Sequence, residues 1–297
     1  MKTILPAAAA LAALAAAGGP ALARSGPTVE IDDAVARVVV IVEDRTDVGV
    51  EIQPGTAPLP APRLERRGAS VRIDGGLGRR VAGVRLGDRI HDCRPGPDPT
   101  RPGQGASVEV GDLGRIDLDE APLIVIRTPR EVTIEAGGAV YGAIGRGARS
   151  VELDAGGCGD WVIANTDGPV DASLGGSGGL MIGTTRTLDA SLAGSGELTA
   201  GATDRLELKI AGSGGAAVAE VDGDAEISIA GSGEAAIRRG RIPRLGISIA
   251  GSGDVDFGGV AGDVSVSIAG SGDVRVAGAT GSVSRRVVGS GDIRIGR

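Results

Sequence analysis

The tripeptide Gly-Ser-Gly recurs along the second half of this chain at a nearly fixed interval, and nothing else in the sequence constrains the fold as strongly. It stands at Gly176-Ser177-Gly178, Gly194-Ser195-Gly196, Gly212-Ser213-Gly214, Gly231-Ser232-Gly233, Gly251-Ser252-Gly253, Gly270-Ser271-Gly272 and Gly289-Ser290-Gly291. Successive first glycines are 18, 18, 19, 20, 19 and 19 residues apart. Two degenerate copies precede them: Gly157-Cys158-Gly159 lies 19 residues before Gly176, and Gly138 another 19 before that. A sustained period of this length marks a solenoid, in which each repeat is one short unit stacked on the next. The spacing predicts about nine coils of roughly 19 residues.

The apolar pattern supports that reading. Six, four and two residues before each first glycine, 26 of 27 positions are apolar, from Val132, Ile134 and Ala136 to Val264, Val266 and Ile268. The exception is Arg285 in the last coil. The positions between them are Thr, Ser, Asp, Glu, Lys, Arg or Gly throughout. This is the period-2 signal of a half-buried strand, repeated in register. Six residues after each first glycine the chain is apolar again, from Ile144 to Phe257 and Ile295. Each coil therefore carries at least two short strands joined by a tight corner, where glycine accepts positive φ. Parallel stacking at about 4.8 Å per layer would give a stack roughly 40 Å long. Arg285 fits a half-solvated end coil, or a charge that blocks end-to-end stacking.

A thin core of this kind needs no large rings, and the chain has only Trp161, Tyr141 and Phe257. Trp161 occupies a position filled elsewhere by Leu180, Leu198, Val255, Val274 and Ile293, so it reads as core. The net charge is −7. An acidic chain with three rings lacks the basic patch and stacking platforms of a nucleic-acid binder.

Residues 1–23 read as a signal peptide. Lys2 precedes an apolar run from Ile4 to Ala17, and Ala21-Leu22-Ala23 is a cleavage site. No cysteine follows for lipid attachment and no second run of spanning length occurs, so no integral membrane segment is expected after cleavage. Residues 24–131 form an N-terminal β segment, with first coils or a cap, ahead of the repeat solenoid at 132–297. Its strand-like stretches are Ala36–Val42, Val48–Ile52, Val71–Ile73 and Val108–Val110. Pro-rich loops are expected over Pro54–Pro62 and Arg94–Gly105. In an exported protein, Cys93 and Cys158 form a disulfide or remain two free thiols; the sequence does not choose.

The repeat typified by Ser267-Ile268-Ala269-Gly270-Ser271-Gly272-Asp273-Val274 resembles the bacterial family described as "putative auto-transporter adhesin, head GIN domain". The lead-in Ile126–Val132 and the opening Val29–Val50 are similar to the same family. The resemblance implies a single-stranded, right-handed parallel β-helix, an exported location and no established catalytic residues. No membrane β-barrel segment follows the repeats before Arg297, so a complete autotransporter is not expected.

Reactive chemistry is sparse. An acidic column after the corners (Asp160, Glu197, Glu234, Asp254, Asp273, Asp292) offers a calcium ladder as one reading and a solvated, aggregation-resistant edge as the other. Gly179 and Gly215 interrupt it, and it is not the nine-residue calcium repeat. The corner serines lack a general base, since the only histidine, His91, lies in the N-terminal segment beside Asp92 and Cys93. Cys93 and Cys158 with His91 supply too few ligands for a metal site. No catalytic residue, metal site or cofactor is expected. The sequence points to a non-catalytic envelope or surface protein, periplasmic or extracellular, whose unknown partner is a surface glycan or an envelope protein. The alternative is a carbohydrate-active β-helix enzyme, which requires carboxylates and an Arg converging in one cleft.

Overall fold

The computed structural model describes residues 26–81 and 84–296, without the side chains of 79–88. The signal-peptide reading falls on residues 1–23, outside the described residues. Ten strands precede the repeats: β1 (Thr28–Val42), β2 (Gly49–Gln53), β3 (Arg63–Arg67), β4 (Ser70–Asp74), β5 (Gly78–Val81), β6 (Val84–Asp88), β7 (Ile90–Arg94), β8 (Ser107–Val110), β9 (Gly114–Asp117) and β10 (Leu123–Thr128). Coils 1 to 9 follow, numbered by their corner glycines Gly138 to Gly289.

The coils stack in register and in parallel. Val132 lies over Val151, Ile134 over Leu153 and Gly138 over Gly157. The same columns run on to Val264 over Val283 and Gly270 over Gly289. A β-solenoid of nine repeat coils results, as the spacing predicts. Every inward residue before the corner is buried in coils 1 to 8. In coil 9 Val283, Arg285 and Val287 are exposed, because no described strand lies over them. The second wall, after the corner, buries Ile163, Ile182, Val218, Ile237, Phe257 and Val276. Trp161 is core, 1% exposed. Gly142 lies beside it in the coil below, where a Cβ would meet the indole at 2.3 Å.

Each coil also has a third wall that the glycine spacing does not announce. Thr185 stacks on Thr203, and Thr203 on Val221. These threonines are buried, with hydroxyls turned to backbone: Thr185 Oγ1 donates to the Gly168 carbonyl at 2.7 Å. Thr203 Oγ1 donates to the Arg205 carbonyl at 2.9 Å. A buried hydroxyl needs such a partner.

The stack begins before the first corner. β1 pairs in parallel with coil 1, Val29 over Ile134 and Val40 over Ile144, with a bulge between Ile31 and Ala34. On the side of β1 away from coil 1 a further layer is assembled from two separate segments, β4 and β10, both parallel to it. Antiparallel β3 and β2 then close that end. Within the N-terminal segment β1 is thus a layer of the solenoid, and β2 and β3 are the strands paired beyond it at that end. The loops between β2 and β3 and between β7 and β8 are irregular and mostly exposed.

On the flank, antiparallel β7-β8-β9 covers the outer side of the second wall. Its small core joins Val108, Val110, Ile116 and Leu118 to Val35, Ala139 and Tyr141 of the stack. Cys93 of β7 is disulfide-bonded to Cys158 at the corner of coil 2, with α-carbons 6.0 Å apart.

Candidate functional site: corners and outward ladders

The seven Gly-Ser-Gly corners form one column, and each residue has a geometric task. The first glycine has φ of +106° to +143° from Gly176 to Gly289. A Cβ at that position would lie within 2.4 Å of the carbonyl oxygen of the preceding corner. The third glycine is buried under the preceding one in all but the end coil. Only the serine points to solvent, exposed in all seven corners. Its backbone N–H completes the column, as in Ser232 donating to the Gly212 carbonyl at 2.8 Å. The two glycines of each corner therefore permit the close approach of successive layers.

His91 lies in β7, exposed, with Nδ1 3.2 Å from the Arg89 carbonyl. The structure places no histidine at the serine column. Cys93 is spent in the disulfide.

The acidic column after the corners bonds to backbone. Asp160 accepts from the Gly179 N–H at 2.8 Å, Asp254 from Asp273 N–H at 2.8 Å and Asp273 from Asp292 N–H at 3.0 Å. Each of these three carboxylates thereby ties its coil to the next, while Asp292 in the last coil pairs with Arg294. Among the described residues no group of three or more His, Cys, Asp or Glu side chains could hold a metal ion.

The strongest electrostatic feature is on the first wall. Glu152, Asp171, Asp189, Glu207 and Glu226 occupy one outward column in five successive layers. In the adjacent column Glu30 stacks on Glu135 and Glu135 on Asp154, followed by Ser173, Ser191 and Lys209. Strand spacing sets like charges about 4.8 Å apart. Asp171 is pushed up to about 6, by burial first and then by Asp189, Glu152 and Asp154, against the opposing pull of Lys209. Asp189 is raised by burial and by Glu207. The Lys209 ammonium is 2.6 Å from the Glu207 carboxylate and 3.9 Å from that of Asp189.

This stripe makes stability depend on pH. A carboxyl whose folded pKa is raised binds its proton more tightly when folded, so stability falls as pH climbs from about 4 through about 6. Asp171→Asn is expected to stabilise the protein at pH 7.5 by about 1 kcal/mol, a value discounted for solvent screening, and to change little at pH 4. Urea midpoints at the two pH values check this; equal gains at both would refute the charge argument.

At the N-terminal end Arg72 of β4 reaches Asp32 at 2.8 Å and Glu30 at 3.8 Å. Glu30 is raised by burial and by its contact with Asp32. These acids and Glu135 and Asp154 border a shallow open trough. Here acids and an Arg do meet beside the N-terminal segment, but on an open face. Towards coil 9 the outermost column alternates in sign, Arg205, Asp224, Arg244, Asp263, ending in Ser282. Arg244 is bonded to Asp224, and Asp263 accepts from the Ser282 N–H at 2.8 Å. Sequence reasoning set apart the polar positions five and three before each corner glycine without seeing the acidic stripe among them, and did not name the alternating column two residues further back. The signal was available in the seven-back column, read vertically.

No curated protein matches the chain. Four chains of solved structures match, among them the crystal structure of a "Putative lipid binding protein" from Parabacteroides distasonis ATCC 8503. That chain is 16% identical, with a TM-score of 0.53, over 92% of this chain and 93% of the other. At that identity the likeness shows a shared fold. Residues 199–296, from the second wall of coil 4 through coil 9, match the family model described as "Putative auto-transporter adhesin, head GIN domain", the same family that the repeats resemble.

Proposed function

We propose that the chain is an exported, non-catalytic module of the cell envelope or surface that presents flat, charged ladders to a partner. The observation that carries this reading is the arrangement of its polar side chains. They lie in open columns along the walls, and the ones with reactive potential are consumed by backbone bonds, ion pairs or the disulfide. A family described by adhesion supports the same reading. Catalysis of glycan cleavage needs an acid pair held around a scissile bond. In the trough at Glu30 and Asp32, Arg72 pairs with both acids, and in the open hollow lined by Asp254, Asp256, Asp273 and Asp292, Arg275 pairs with Asp256 and Arg294 with Asp292. The "lipid binding" description of the Parabacteroides protein supports a binding role in general.

Cell fractionation of a tagged full-length chain tests the reading. The expected result is a processed protein in the periplasm or outside the cell that sediments with envelope glycan or protein. Cytoplasmic retention would refute export. Cleavage of an envelope polysaccharide by the wild type, lost in Glu30→Gln, would establish the enzyme instead.

A further inference from the structure

The two ends of the stack are finished differently. At the N-terminal end β3 sets Leu64 over Ile73 and Arg66 over Val71, in the inward columns. Arg66 is satisfied there, donating to the Val48 carbonyl at 3.0 Å. At the other end no described strand lies over Val283–Gly289, and all seven of its residues are exposed. Val283 is 40% exposed, Val287 40% and Val288 64%, three of the five exposed large apolar side chains among the described residues. Arg285 continues the inward column above Val266, and Arg286 the outward column above Ser267. Neither has an ion-pair partner among the described residues, whereas Arg275 and Arg294 of the neighbouring wall do.

An open strand edge with apolar side chains and unpaired backbone groups is a template for one more strand. A second copy of this chain is a poor occupant. A head-to-tail contact sets Arg285 against Arg66, and a tail-to-tail contact gathers Arg285 and Arg286 of both copies in one seam. Like charges opposed across a strand pair are destabilising. The complement is a strand with carboxylates between apolar residues.

We propose that Val283–Gly289 accepts an extended segment of a partner protein as the next strand of the first wall, with acidic side chains over Arg285 and Arg286. Backbone bonds supply affinity, Val283 and Val287 become buried, and the two arginines select the sequence. The proposal rests on the binding-module reading in taking the occupant from another protein, but its test uses purified components and fails separately from export.

The probe is a blocked peptide, Val-Thr-Glu-Glu-Val-Ser-Gly, titrated into isotope-labelled protein and followed by amide chemical shifts. Shifts confined to coil 9 are expected, with binding weakened at least about tenfold when both Glu are replaced by Lys. The double variant Arg285→Glu, Arg286→Glu is expected to reverse that preference. Both positions are solvent-exposed, so the variant keeps its fold, which its thermal transition verifies. Equal shifts from both peptides, no shift at millimolar peptide, or shifts lying elsewhere would overturn the proposal. Sedimentation showing concentration-dependent self-association through this edge would also overturn it, by making a second copy the occupant.

Discussion

Gly231→Ala is expected to destabilise the protein by about 4 kcal/mol, from two costs that add at the same atom. The corner holds φ at +130°, a region that L side chains rarely adopt. The new Cβ would also stand 2.3 Å from the Gly212 carbonyl oxygen and 3.1 Å from its nitrogen, both backbone of the layer beneath. Neither can rotate away. The layers must separate, stretching the bond from the Ser232 N–H to that same carbonyl. Because each coil contacts only its neighbours, the damage should be local in origin. Guanidinium unfolding should then show an early loss of coils at the break and a later step for the rest. Ser232→Ala, one residue on and exposed, is the control, expected within about 0.5 kcal/mol of wild type. A Gly231→Ala protein less than about 1 kcal/mol from wild type would show that the corners tolerate a side chain.

Removing the disulfide, as Cys93→Ser with Cys158→Ser, is expected to cost a similar amount through a different route. The bridge spans 65 residues. Loop-closure entropy for that length is worth about 4 kcal/mol. The closed loop contains β8 and β9 and begins in β7, and the small core of that sheet rests on Val35, Ala139 and Tyr141. Only a few apolar side chains hold that sheet to the stack, so it should open first. Limited proteolysis should cut within residues 89–121 while coils 3 to 9 stay protected. Tyr141 reports the event. Its phenol is buried, raised above the ordinary range by burial and then by Asp160, and should titrate near its usual value once the sheet lifts. Unchanged protease resistance in the double variant would show that side-chain packing alone suffices.

The repeat coils were legible because their determinants are local and redundant. Columns such as Leu206, Leu208 and Ile210 recur with a glycine at a constant offset, and the structure stacks them at that offset. β1 was harder to place. Its corner is not glycine: Asp32 and Asp33 stand in the bulge, and Asp33 takes φ of +50° itself. A motif search keyed to glycine passes over it, although Val29 and Ile31 keep the inward alternation. The layer made of β4 and β10 was illegible in principle, since 48 residues separate its halves and nothing local ties Val71 to Ile124. The third wall escaped for a subtler reason. Its column changes from Thr185 and Thr203 to Val221 and Gly240, and the register then slips so that Ile242 pairs with Ala261, so composition and register both mask it. The acidic stripe was present in the sequence as single residues between apolar ones. Its meaning arises only when Glu152, Asp171, Asp189, Glu207 and Glu226 are brought one above another.

The in-register stack has a mechanical consequence. Its interlayer hydrogen bonds run along the long axis, so a tether pulling at the coil 9 end loads only the bonds of the outermost layer. Each layer that gives way releases one repeat, about 19 residues or roughly 65 Å of extended chain. The layer newly uncovered is nearly identical to the one lost. Such a molecule yields to tension as a series of equal steps, lengthening severalfold before the capped end at β2 and β3 is reached. A protein fixed at one end and pulled at the other would dissipate work over that distance rather than break at a single threshold.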